Sequence, residues 1–125
     1  MFQDATPMIP VVDVLDAARW FKTHLGFEAV VAAEHHAYLK RDNAAIRLHR
    51  LNPDYDVDDP RCQETLYLDV DDVDEVYEAF KVRLDALPDG FFRSPFDRDY
   101  GQREFHVIYQ NLLIFVGMPA QKDAK

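Results

Sequence analysis

Cysteine, serine, tryptophan and glycine are all scarce in this chain. Cys62 is the only cysteine, Ser94 the only serine and Trp20 the only tryptophan, and there are four glycines among 125 residues. A lone cysteine excludes an intrachain disulfide and a thiolate metal cluster. So few glycines leave no phosphate-cradling loop. Nucleophilic catalysis has little to draw on, since Ser94 is the only serine and the acidic surroundings of Cys62 disfavour a thiolate. No apolar run approaches the ~18 residues that a membrane helix needs, and no basic stretch followed by an apolar core opens the chain. The expectation is a soluble protein of the reducing cytoplasm. Basic residues are also outnumbered, 14 against 23 acidic ones, for a net charge of -9 and a pI near 4.8. That balance argues against nucleic acid, whose phosphates call for a basic surface, and fits cationic or neutral partners. Much of the excess equally serves as a solvated face.

What is present is enough apolar sequence, 48% of residues, for one domain with one core. After an arm at Met1 to Thr6, an extended run from Pro7 to Val12 carries Pro7 and Pro10, which mark an edge or a strand end. Asp13 or Asp16 caps a helix whose apolar face is Ala17, Trp20, Phe21, His24 and Leu25, and Gly26 closes it. Trp20 and Phe21 are assigned to the core. Strands are expected at Phe27 to Ala33, His36 to Lys40 and Ala45 to Leu51, the last two joined by a turn at Arg41 to Asn43. Asn52 to Gln63, acidic and proline-containing, reads as a surface linker. Thr65 to Val70 is the next strand. Asp72 caps a second helix with the stripe Val73, Val76, Tyr77, Phe80 and Leu84, ended by Pro88, Asp89 and Gly90. A short strand near Phe91 to Ser94 follows. A hairpin of Phe105 to Tyr109 and Leu112 to Val116, turning at Gln110 and Asn111, ends the pattern. The stretch Phe91 to Gly101 interleaves four aromatic rings with charge and reads as a loop suited to gripping a flat cationic molecule.

Placing Asp13 on Asp72 also pairs Thr6 with Thr65, Val14 with Val73, Phe21 with Phe80 and Leu25 with Leu84. Each half is strand, helix, three strands. The expected fold is therefore α+β: tandem βαβββ units, about residues 6–51 and 64–117 of a single domain, forming a curved mixed sheet with helices outside and a concave face within.

Chemistry-bearing residues are few. His24, His35, His36, His49 and His106 show neither HxH nor HExxH spacing. Asp69, Asp71, Asp72, Asp74 and Glu75 read as a helix-capping, solvated cluster. In the strand Ala45 to His49, Arg47 and His49 share one face and Ile46 and Leu48 the other, so Arg47 and His49 are either polar contacts for a ligand or a solvated outer face.

The stretches ATPMIPVVDVLDAARWFKTHLGF, YLKRDNAAIRLHR and YGQREFHVIYQNLLIFVG carry a resemblance across nearly the whole chain. They resemble the vicinal oxygen chelate superfamily of glyoxalases, extradiol dioxygenases and bleomycin-resistance proteins, and within it the bleomycin-resistance branch. The resemblance implies a metal-free protein that binds and sequesters a cationic aromatic antibiotic, without a cofactor. It implies a homodimer whose proline-containing arms exchange between subunits. The ligand-binding residues it marks are Tyr100, where the branch usually carries a drug-contacting Trp, with Arg103 and Glu104 of the same motif; Arg47, His49 and His36 on the earlier strands complete the candidate set. For Tyr100 the alternative is packing at a dimer seam, and for Arg103 and Glu104 a cross-strand ion pair. The branch's Asp-Pro-Asp-Gly-Asn hairpin turn is replaced by Ile108, Tyr109, Gln110 and Asn111. At the superfamily's four metal-ligand positions stand Thr6, Thr65, either Arg47 or His49, and Ile114. The competing expectation is a metal-dependent glyoxalase or dioxygenase-type enzyme with a shifted metal site.

Overall fold

Asp13 and Asp72 start the two helices in the same way. Each is extended (φ -129° and -144°), and its carboxylate accepts the backbone N–H three residues on, Asp16 at 3.0 Å and Glu75 at 3.1 Å. This satisfies one of the four N–H groups that every helix start leaves without a partner. The computed structural model describes residues 1–121, and the chain divides into two units, Met1–Val57 and Asp58–Lys125.

The first unit runs β1 (Met8–Val11), α1 (Val14–Leu25), β2 (Glu28–Ala32), β3 (His36–Arg41) and β4 (Ala44–Arg50). Its sheet has the order β1-β4-β3-β2, with β1 parallel to β4 and the other pairs antiparallel. Alternation along β3 and β4 buries Ala37, Leu39, Ile46 and Leu48 on one side, together with Ile9 and Val11 of β1. Against them α1 sets Ala17, Phe21 and Leu25. Full burial of a ring such as Phe21 contributes about 1.5–3 kcal/mol. Gly26 takes the left-handed conformation (φ 75°) that ends the helix, and Arg41 Nη1 donates to the Leu25 carbonyl at 2.6 Å, tying the helix end to the β3–β4 hairpin. Trp20 is only half-buried, T-shaped against Phe21 and stacked on His24 with centroids 4.7 Å apart.

The second unit repeats the order: β5 (Glu64–Asp69), α2 (Val73–Asp85), β6 (Phe92–Asp97), β7 (Gln102–Tyr109) and β8 (Leu112–Pro119), in a sheet of order β5-β8-β7-β6. β5 and β8 are parallel and the other pairs antiparallel. Leu66, Phe105, Val107, Leu112, Ile114 and Val116 are buried, as are Val73 and Leu84 of α2. Tyr77 of α2 stacks on Phe92 at 5.6 Å. The tandem βαβββ, α+β architecture expected from the sequence is thus present, as two four-stranded sheets.

Two expectations need correcting. The stretch Phe91 to Gly101 is mostly strand, because β6 is an edge strand and tolerates Pro95, leaving only Arg98 to Gly101 as a turn. The linker holds a 3-10 turn at Pro60–Cys62, which the Asp59 carboxylate caps by accepting from Arg61 N–H at 2.9 Å. The last hairpin turns at Gln110 and Asn111 as expected, and does so without glycine because Gln110 itself adopts a left-handed φ of 53° between the paired residues Tyr109 and Leu112.

Candidate functional site

Each sheet has one face turned to its helix and one turned away, and the outward faces collect the polar and aromatic side chains. On β7 that face carries Gln102, Glu104, His106 and Ile108, while Arg103, Phe105, Val107 and Tyr109 point to the other side. Register places Gly117 of β8 opposite Glu104, Phe115 opposite His106, and Tyr67 of β5 beside Phe115.

Glu104 is the centre of this face. It is wholly buried (0% exposed). Oε2 accepts from Tyr67 Oη at 2.8 Å and Tyr100 Oη at 2.7 Å, and Oε1 lies 2.8 Å from His106 Nε2 and 3.3 Å from Arg98 Nη1. An ionised carboxylate only accepts, so the bond to Glu104 requires a proton on His106 Nε2, the nitrogen that also lies 3.2 Å from Arg98 Nη1. Burial by itself would raise the Glu104 pKa, but the hydrogen bonds from His106, Tyr100 and Tyr67 outweigh it and hold the carboxyl below its ordinary 4.5. Burial first, then the bond to Glu104, pushes both the Tyr67 and the Tyr100 phenols up, so each stays a donor. Rings finish the cluster: His106 stacks on Phe115 at 4.2 Å and meets the edge of Phe96 at 5.1 Å. Tyr100 is the most exposed of them, 56% as a residue, with Arg98 4.8 Å from its ring centroid.

Gly117 makes the cluster possible. A Cβ there would fall 2.8 Å from Glu104 Cγ and collide with the Tyr67 hydroxyl, so both side chains cross the strand where β8 has none.

Arg103 does not join Glu104. It clasps α2 to the sheet instead, donating to both Asp74 oxygens at 2.9 and 3.0 Å and to Asp97 at 3.1 Å. The bond from Arg103 holds Asp74 below the usual carboxylate range, and the bonds to Asp74 and then Asp97 raise the Arg103 pKa further.

The remaining sequence candidates meet in the first unit. His36 and His49 are register partners, as are Tyr38 and Arg47, and Arg47 Nη1 lies 3.4 Å from His36 Nε2 with the Tyr38 ring 4.4 Å from its guanidinium carbon. The six candidates therefore fall into a trio on the first sheet, a pair on the second and one structural arginine. Tyr67, Arg98 and His106 are the participants that sequence reading missed. The spacing of Glu104 and His106, two residues apart in a strand, could have found His106. Nothing in the sequence registers Tyr67.

Two hydroxyls at Thr6 and Thr65, a guanidinium or imidazole at Arg47 or His49 and a hydrocarbon at Ile114 do not fit a divalent metal. Ile114 is moreover buried on the helix-facing side, and Phe115 stands on the outward one. Among the described residues no group of three or more His, Cys, Asp or Glu is arranged to hold a metal ion.

Neither a protein-family model nor a curated protein matches the chain. Solved structures do. The bleomycin resistance determinant encoded on the transposon Tn5 superposes with a TM-score of 0.74 at 22% identity, over 96% of this chain and 100% of that one. A bleomycin-binding protein complexed with bleomycin gives 0.74 at 20% identity, over 97% and 100%. A glyoxalase-related enzyme from Clostridium phytofermentans gives 0.72 at 10% identity, over 95% and 96%. At these identities the likeness establishes the fold, which is the one seen in bleomycin-resistance and glyoxalase-related proteins.

Proposed function

We propose that the chain is a metal-free small-molecule binding protein that sequesters a cationic, flat-ringed antibiotic of the bleomycin type and does not transform it. Tyr100 carries this reading. Its hydroxyl is fixed on a buried carboxylate while its ring stays exposed, so a stacking surface is presented with little rotamer freedom left to lose. Structures with this fold include a bleomycin-binding protein complexed with bleomycin. The net charge of -9 favours encounter with a cationic ligand. The working form we propose is a cytoplasmic homodimer in which the N-terminal arm, with Met1 and Phe2 fully exposed in the single chain, packs on the partner.

Calorimetric titration with metal-free bleomycin tests the reading directly. Wild type should bind, and Tyr100→Ala should weaken binding about five- to tenfold, the worth of one aromatic stack at ~1 kcal/mol. Equal binding by the two proteins, or none by either, would remove it. Elemental analysis addresses the rival: about one Zn, Mn, Ni or Fe per chain would favour a glyoxalase or dioxygenase-type enzyme instead. Light scattering should find a dimer that loses its partner when Met1 to Ala5 is removed. An unchanged dimer would exclude arm exchange.

A further inference from the structure

Independently of the drug-binding reading, we infer that the outward face of the first sheet is a binding site for an organic oxyanion, a carboxylate or phosphonate on an apolar body, with Arg47 as its anchor. Four arginines of the described residues are half-buried: Arg41, Arg47, Arg98 and Arg103. Arg41 donates to the Leu25 carbonyl, Arg98 to Glu104, and Arg103 to Asp74 and Asp97. Arg47 alone among them has no oxygen partner. Its contacts are a histidine nitrogen at 3.4 Å and the face of Tyr38 at 4.4 Å. A guanidinium has five N–H donors in a planar fork that matches two oxygens of one oxyanion, and here that fork is partly withdrawn from water with only one donor spent, on His36.

The neighbours define the rest of the ligand. His36 and His49 are register partners two pairs along from Arg47, the next on the same face, so His49 adds a second imidazole. No acidic side chain occupies the rows in question: across the sheet, register aligns Met8, Arg47, Tyr38 and Val31 in one row, and Pro10, His49 and His36 in the next. Met8 and Val31, at the two ends of the Arg47 row, are 58% and 51% exposed. An anionic head on Arg47 would thus leave its apolar body over exposed hydrocarbon. Local charge, not the net charge of the chain, governs recognition at this range, because fields from distant exposed acids are screened within about 8–10 Å.

Two-dimensional NMR of the full chain, following the arginine Nε–H and histidine ring signals, tests this with four probes: phenylphosphonate, benzoate, inorganic phosphate and benzylamine. Phenylphosphonate or benzoate should shift Arg47, His36 and His49 saturably, inorganic phosphate at least tenfold more weakly, and benzylamine not at all. The comparison of the first two identifies the preferred head group. Arg47→Gln should weaken binding tenfold or more, and Arg47→Lys, which keeps the charge and loses the fork, by an intermediate amount while its other signals stay native. Absence of a saturable shift, equal shifts from benzylamine, or undiminished binding in both variants would overturn the site. A failed bleomycin titration would leave this result standing, since neither probe nor readout involves Tyr100.

Discussion

In the second unit four side chains donate to an anion buried on the outward face of the sheet, and in the first unit the equivalent strands carry a half-buried cation with no oxygen partner. Strand order, pairing and the aspartate that starts each helix are the same in both. What the two units share is set by the core-facing residues, which must alternate and fill space. The outward face is released from that demand, so its chemistry has diverged while the topology has stayed. One face has become rigid and self-satisfied, the other open and unsatisfied.

Removing each charge should expose the contrast most strongly. Glu104→Ala leaves two phenols, an imidazole and a guanidinium without their acceptor and should destabilise the fold by about 3–5 kcal/mol, whereas Arg47→Ala should cost under about 1 kcal/mol. Urea unfolding of both variants measures this. Comparable losses would mean that Arg47 is as structural as Glu104.

Gly117→Ala should cost about 1–3 kcal/mol through overpacking against Tyr67 and Glu104. The same substitution in a Tyr67→Phe background should cost less, since the nearest clash is with the hydroxyl. A double-mutant cycle without coupling would sever the link between the glycine and the cluster.

Acid should act mainly on the second unit. Because the folded Glu104 pKa lies below its ordinary 4.5, the contribution of its carboxylate is complete at neutral pH. That contribution is lost as pH falls from there through the folded value. Stability of Glu104→Gln should therefore decline less steeply in this window, the remaining slope coming from groups such as Asp74, which is lowered in the same sense by Arg103. A superimposable acid limb in wild type and variant would remove Glu104 from the account.

Arg103→Ala should have the smallest effect, about 0.5–1 kcal/mol, since Arg103 is one-third exposed and Asp74 and Asp97 more than half. The variant also separates the clasp from the outward face, because bleomycin binding should be unchanged.

Much of this was legible before any coordinates. Asp13, Gly26 and Asp72 marked helix ends, and alternation in β4 correctly joined Arg47 to His49. Alternation equally separates Arg103 from Glu104, yet the motif that contains both encouraged reading them as a pair. Pro95 disguised β6, since proline speaks against a strand unless its edge position is known. The approach of Tyr67 to Glu104, across 37 residues, depends on β5 pairing in parallel with β8, a register that no local pattern records.

The missing side chain at Gly117 has a consequence for descent. Positions 67, 104 and 117 share one small volume, so an inherited change at any of them alters which residues the others tolerate. Among related chains, a tyrosine at the β5 position should travel with glycine at the β8 position. Lineages that acquire alanine or larger there should already have shortened the β5 side chain, so that the order of the two substitutions is constrained as well as their company.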